Sequence, residues 1–188
     1  SIQITMPVKM DQSMNKKDMT EVTVLGQHYR LYSKSFLGLG ITELTHQFLN
    51  ESSCFANGYP LPDGDTAKGD VIQCETQVEA LSNDVHKVNN TKIGSLVVDI
   101  DKWVALGSLG YLHNTKPFES LSSTLTMKEV LSLAQSGACQ VQWKTLKRSD
   151  PYNDYLYNSC LASAYYSAII VKGYGLNETT EINTSIDG

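Results

Sequence analysis

The chain has no long hydrophobic run. A helix that crosses a bilayer needs about 20 consecutive, mostly apolar residues. The longest apolar stretch here, residues 162–171, is shorter than this and is interrupted by Ser163 and Ser167. The sequence therefore predicts no transmembrane segment.

The chain also lacks an excess of basic residues. It has 15 lysines and arginines against 20 aspartates and glutamates, which gives a net charge of −5. Proteins that bind nucleic acids gain much of their affinity by neutralising phosphates with a basic face. The densest basic clusters, Lys16-Lys17 and Lys144/Lys147/Arg148, are short and typical of a solvated surface. We therefore predict no nucleic-acid partner.

Several common catalytic and cofactor motifs are missing. The sequence contains no CxxC, GKS, GKT, GxSxG or HExxH motif, and Gly38 and Gly40 lack a third glycine at the dinucleotide-binding spacing. These absences exclude zinc ribbons, phosphate-binding loops and two common classes of hydrolase in their usual form. We predict no cofactor.

The residues that are present are those of an ordinary folded protein. The 188 residues are 41% hydrophobic and 19% charged, which excludes a wholly disordered or collagen-like chain. The length suits one domain. We expect a single α+β domain over residues 1–176 and a flexible, polar tail over residues 177–188.

Four cysteines indicate the compartment. Cys54 with Cys74, and Cys139 with Cys160, would each close a loop of about 20 residues, and each bond would stabilise the fold by roughly 3 kcal/mol. The alternative is four buried free thiols in a cytosolic protein. We favour two disulfides and hence a secreted, periplasmic or cell-surface location.

Two further features are compatible with export. The chain begins at Ser1 without a signal-peptide pattern, as expected after removal of a leader or after trimming. Four glycosylation-type sequons begin at Asn50, Asn89, Asn177 and Asn183. They suit an exported chain but suit equally a bacterial protein that is never glycosylated.

The apolar pattern predicts a mixed fold. Alternation predicts a strand over residues 2–10 and a hairpin around Gly26. Pro7 removes a backbone donor from the strand, which should therefore lie at an edge or carry a break. Further strands are predicted over residues 95–100 and 139–143.

Helices are predicted between these strands. They cover residues 41–50, 74–88, 126–137 and 150–172, although the tyrosines and branched residues at 165–171 also suit a strand. Residues 51–70 form a long irregular loop rich in glycine and proline. The fold class is therefore α+β, with a mainly antiparallel sheet and about four helices.

Cys54 is a candidate nucleophile. A cysteine hydrolase needs a thiolate beside an imidazole, and His46, His86 or His113 could supply it. No familiar motif surrounds Cys54, and Cys74 is an available disulfide partner.

Acidic residues offer two further candidate sites. Asp63, Asp65 and Asp70 make a weak candidate for a cation site, without the ligand spacing of an EF-hand. Asp99 and Asp101 would face the same side of a strand and could share a metal or acid–base task, with His113 and Glu119 as partners. The simpler interpretation of both sets is solvated surface, so we predict no metal.

A tyrosine cluster is the most unusual local feature. Six of the 10 tyrosines fall within residues 152–174. They are Tyr152, Tyr155, Tyr157, Tyr165, Tyr166 and Tyr174. Tyrosine combines a large apolar area with a polar tip, which suits binding interfaces, although some of the six should line the core.

These observations favour a binding protein. We predict an exported, disulfide-bonded protein that binds another macromolecule, most simply a protein, through the tyrosine cluster and the loop at residues 51–70. An inhibitor, an immunity-type protein, a secretion-apparatus part or a surface recognition domain would fit. A small hydrolase with a Cys–His or Asp/metal site is the alternative, and a carrier of a small ligand is a third hypothesis.

Overall fold

A computed structural model describes residues 2–7, 16–81, 83, 87–88, 91–92 and 100–185. Within this part, an antiparallel sheet packs with five α-helices and two disulfides, which confirms the predicted α+β class. In the described residues, none of the helices has the length and apolar character needed to cross a membrane.

The N-terminal sheet has three strands, β1 (Ile2–Pro7), β2 (Met19–Val24) and β3 (Gln27–Phe36). Their order is β1-β3-β2, and both pairings are antiparallel. β1 is therefore an edge strand, as Pro7 predicted, because proline cannot complete the hydrogen bonds of a central strand. The residues of the predicted strand beyond Pro7 lie outside the described residues.

The predicted hairpin joins β2 to β3. Its two turn residues, Leu25 and Gly26, both have positive φ angles, +50° and +79°. Two such residues make the turn type whose twist matches that of the flanking strands. Leu25 is fully exposed and occupies this strained conformation without a packing contact to offset it.

Helices form the second layer. They are α1 (Ile41–Gln47), α2 (Val71–Val78), α3 (Met127–Leu133), α4 (Trp143–Ser149) and α5 (Ser159–Ser167). Both α3 and α5 continue as π-helical segments, Ala134–Cys139 and Ala168–Gly173. Every residue of α5 is buried, so this helix forms the centre of the core.

The first turns of α2 and α3 are capped by side chains. Asp70 accepts hydrogen bonds from the backbone N–H groups of Ile72 and Gln73. Thr126 and Glu129 form the predicted capping box, in which each side chain accepts from the other residue's backbone N–H. These bonds satisfy donors that a helix start otherwise leaves unpaired.

Both predicted disulfides are present. Cys54 is bonded to Cys74, and Cys139 to Cys160, with Cα–Cα distances of 4.9 and 5.1 Å. All four residues are buried. The first bond connects the loop at residues 51–70 to α2, and the second connects the end of the π-helical segment Ala134–Cys139 to α5.

Three short strands bring the C-terminal region onto the body of the protein. They are β6 (Trp103–Val104), β7 (Thr124–Leu125) and β8 (Ile182–Asn183), in the order β6-β8-β7. Ile182 is only 3% exposed. Residues 182–183 therefore differ from the predicted flexible tail, because pairing on both sides and one buried side chain hold them in place.

Two predicted helices have different bounds in the structure. The helix predicted over residues 74–88 ends as α2 and a 3-10 turn, Glu79–Leu81, and Lys87–Val88 (β4) pairs with Thr91–Lys92 (β5) instead. The helix predicted from residue 150 begins only at Ser159, after turns and a 3-10 segment, but it does continue as helix where a strand was the alternative.

The strand predicted over residues 139–143 is wrong. Cys139 ends a π-helical segment and Trp143 begins α4, and in between only Gln142 makes an isolated bridge, to Asn57. The apolar alternation arises because Cys139 faces α5 while Val141 and Trp143 pack against a separate small cluster. The strand predicted over residues 95–100 lies almost wholly outside the described residues.

Candidate functional site

The structure removes Cys54 as a nucleophile. Its Sγ is bonded to that of Cys74, and no free cysteine is present in the described residues, which include all four. A thiolate is required for attack. His46 is exposed at the end of α1, His113 is half-buried, and His86 lies outside the described residues.

The candidate acidic residues do not form a metal site in the part of the chain that the structure describes. Asp63 accepts a hydrogen bond from the backbone N–H of Asp65, and Asp70 caps α2. Asp101 is exposed, and Asp99 lies outside the described residues. Across the described ranges, no group of three or more His, Cys, Asp or Glu side chains is arranged to hold a metal ion.

The tyrosine cluster divides into two groups. Tyr152 and Tyr155 are 94% and 71% exposed, and Tyr157 is half-buried. Tyr165 and Tyr166 belong to α5 and are only 1% and 9% exposed. The latter two are therefore not available for an outward contact surface, and the prediction that grouped all five must be corrected for them.

Stacked aromatic rings connect the first group to the loop at residues 51–70. The Tyr59 ring lies between others, with centroid distances of 5.2 Å to Phe55, 6.0 Å to Tyr157 and 5.0 Å to Trp143. The first two contacts are stacked, and the Trp143 ring meets Tyr59 edge to face. Such ring contacts stabilise a fold by more than the burial of their apolar area alone.

The environment of the ring stack keeps the Tyr59 hydroxyl in its neutral form. Burial raises the pKa of Tyr59, and the neighbouring Tyr157 adds to the shift. The Tyr59 hydroxyl therefore stays protonated at neutral pH and is able to donate a hydrogen bond.

The turn that carries the exposed tyrosines is fixed to α4. Leu156, between Tyr155 and Tyr157, packs with Leu146 of α4 and with Ala56, and Trp143 packs against the same small cluster. We call the set Tyr59, Trp143, Tyr152, Tyr155 and Tyr157 the aromatic surface. It combines rings that are held rigidly with two that project into solvent.

Three basic residues lie beside this surface. Lys144, Lys147 and Arg148 belong to α4, which begins at Trp143. None of the three makes an ion pair with any residue that the structure describes. Their charges remain available to a partner, in a chain whose net charge is negative.

A cavity of about 750 Å³ lies at the other end of α5. Tyr165 and Tyr166 line it, together with Tyr174 and residues 103–109. The second tyrosine group therefore borders a partly open cavity, whereas the first borders solvent.

Comparisons with known proteins supply no identification. No protein-family model matches the chain, and no curated protein sequence matches it significantly.

Sequence reasoning missed part of this geometry. Tyr59 and Trp143 are far apart in the chain, and backbone contacts of Asn57 with Cys139, Gln142 and Trp143 bring the two segments together. An aromatic residue inside a loop rich in glycine and proline was the one available signal for Tyr59. Nothing in the local sequence indicated the cavity, because its walls come from separate segments.

Proposed function

We propose that this chain is an extracytoplasmic protein that acts by binding another protein through the aromatic surface. The observation that carries the proposal is the ring stack of Tyr59, Trp143 and Tyr157 beside the two exposed rings of Tyr152 and Tyr155. Tyrosine and tryptophan dominate the energetically important contacts of protein interfaces. Exposed rings next to fixed ones supply contact area with little loss of side-chain entropy.

The two disulfides support the location. Such bonds form and persist in secreted, periplasmic and cell-surface proteins and are rare in the reducing cytosol. Inhibitors, immunity-type proteins, secretion-apparatus parts and recognition domains all act by contact alone, which agrees with the candidate residues found here.

The basic residues of α4 favour a partner with acidic groups around its contact surface. Charges of opposite sign across an interface accelerate association and fix orientation. We therefore expect the affinity for the partner to fall as salt is raised, because screening weakens contacts from Lys144 and Arg148.

A site-specific cross-linking experiment tests the proposal. A photoreactive phenylalanine analogue at Tyr155 should capture one saturable protein partner in the native compartment. The same analogue at Leu25, which is fully exposed in the β2–β3 turn, is the matched control and should not capture it.

The purified partner then allows a quantitative prediction. Tyr155→Ala should weaken binding roughly 5- to 30-fold, the range expected for an interface tyrosine. The Tm should not change, because an exposed ring contributes little to the fold. Tyr157→Ala is a poorer test, since its ring stacks on Phe55 and Tyr59 and its loss should also destabilise the protein. Unchanged affinity in Tyr155→Ala, or identical capture from position 25, would refute the proposed surface.

A further inference from the structure

The cavity beside α5 has the size of a small-molecule site. Its volume is about 750 Å³, and ligand pockets typically occupy about 300–1,000 Å³. Its walls come from β1, the start of α1, residues 103–109, and the end of α5 with its π-helical continuation. Convergence of several elements gives a shaped space between layers of the fold.

The described walls are apolar and uncharged. Ile4, Ile41, Ile169 and Ile170 are among the lining residues, and no Asp, Glu, Lys, Arg or His is found among those that the structure describes. A charged group in such a space would lose its hydration without gaining a partner. The described walls therefore favour a neutral occupant.

A few hydroxyl groups interrupt the apolar walls. The Tyr165 hydroxyl donates to the carbonyl oxygen of Leu39, and Tyr166 is hydrogen-bonded to the side chain of Ser108. Tyr174 differs, because its buried hydroxyl has no hydrogen-bond partner among the described residues. Tyr32 carries a second such hydroxyl, and neither oxygen atom is accessible from the cavity.

The Tyr174 hydroxyl stays protonated. Burial, with a smaller contribution from Tyr32, raises its pKa to about 12. This residue therefore adds no charge to the cavity wall in the physiological pH range. A peptide would not suit the same space, because each of its backbone N–H and C=O groups needs a partner and the walls offer few.

The rim is apolar as well. Val104 and Leu106 are 48% and 69% exposed and belong to the segment that borders the cavity. Exposed apolar side chains at the mouth of a cavity allow an apolar molecule to leave water before it enters the cavity.

We propose that this cavity binds an uncharged, mainly apolar small molecule. The site is separate from the aromatic surface and does not depend on the protein partner. It would make the chain a carrier or sensor of a lipid-like molecule in addition to a binding protein.

A matched pair of fluorescent probes tests the charge requirement. N-phenyl-1-naphthylamine is neutral, whereas 8-anilino-1-naphthalenesulfonate has the same rings and a negative charge. The full chain should bind the neutral probe with one saturable site and the sulfonate at least tenfold more weakly. Equal binding of both probes, or no binding of the neutral one, would overturn the proposal.

Blocking substitutions test whether the neutral probe binds within the cavity. Ala105→Trp puts a large ring into the space and should weaken binding of the neutral probe at least tenfold. Ala80→Trp, on an exposed turn that does not line the cavity, is the control and should bind normally. Ser108→Trp at the rim serves as a second blocking variant if Ala105→Trp does not fold. Unweakened binding in a folded blocking variant would contradict the site.

Competition tests the charge requirement with a second pair of molecules. Dodecan-1-ol should displace the neutral probe, and dodecanoate at pH 8 should not, since only the latter carries a charge. Equal displacement by both molecules would contradict the proposed ligand chemistry.

Discussion

Replacing Cys139 and Cys160 together by alanine is expected to lower the Tm by roughly 6 to 12 °C. The bond closes a loop with a sequence separation of 21 residues, and a loop of that length corresponds to about 3 kcal/mol in the chain-entropy account. For a chain of this size, each kcal/mol corresponds to roughly 2 to 4 °C in Tm. The effect should be large because both residues are also fully packed in the core.

Reduction provides the control for this variant. Thermal unfolding in the presence of a reductant should lower the Tm of the wild-type chain by more than that of the double variant, which has lost one of the two bonds already. The Cys54–Cys74 bond closes a loop of nearly equal length, with a sequence separation of 20 residues. Its removal by Cys54→Ala with Cys74→Ala should lower the Tm by a similar amount. A Tm unaffected by either double substitution would mean that the bonds do not stabilise the fold.

Gly69→Ala is expected to be the most disruptive single substitution in the loop at residues 51–70. A Cβ atom at this position would lie 1.9 Å from the carbonyl oxygen of Cys139, and the residue has a φ of +62°. That carbonyl oxygen accepts a hydrogen bond of 2.7 Å from the backbone N–H of Asn57. The clash would therefore push the loop away from Cys139, which forms the second disulfide. We expect a loss on the order of 3 to 5 kcal/mol in the free energy of unfolding.

Gly64→Ala distinguishes the clash from backbone strain alone. Gly64 also has a positive φ, +94°, but a Cβ there would meet nothing within 4 Å. This variant should lose only about 1 kcal/mol, the cost of the left-handed conformation for a residue with a side chain. Denaturant unfolding measures both values, and a Gly69→Ala loss no larger than that of Gly64→Ala would show that the close contact is absent.

The predictions that succeeded were those set by local chemistry. The hairpin around Gly26, the edge position of the strand with Pro7 and the capping box at Thr126 all follow from the backbone preferences of a few adjacent residues. The disulfide pairing also succeeded, because a short loop makes contact between neighbouring cysteines easy. In each case the decisive contacts lie close together in the chain.

The predictions that failed depended on distant contacts. The apolar alternation at residues 139–143 resembled a strand, but Cys139 is fixed against α5 by its bond to Cys160, and Trp143 starts a helix. Ile182 looked like part of a frayed tail because its partners, Trp103 and Leu125, lie far away in the sequence. Periodicity alone does not contain such information.

The candidate site also depends on both local and distant contacts. Tyr152 and Tyr155 are exposed, whereas the burial of Tyr165 and Tyr166 reflects the central place of α5 in the core. The ring contact between Tyr59 and Trp143 depends on tertiary structure and was not predictable. The cavity likewise exists only after β1, residues 103–109 and α5 have come together.

Mapping the cysteines in protein isolated from its native compartment tests the central claim most directly. Free thiols should be blocked with iodoacetamide at the moment of lysis, and the digested protein then examined by mass spectrometry without reduction. The account predicts linked peptides that contain Cys54 with Cys74 and Cys139 with Cys160, and no alkylated cysteine. Alkylated Cys54 in the folded protein would contradict both the extracytoplasmic location and the exclusion of a cysteine nucleophile.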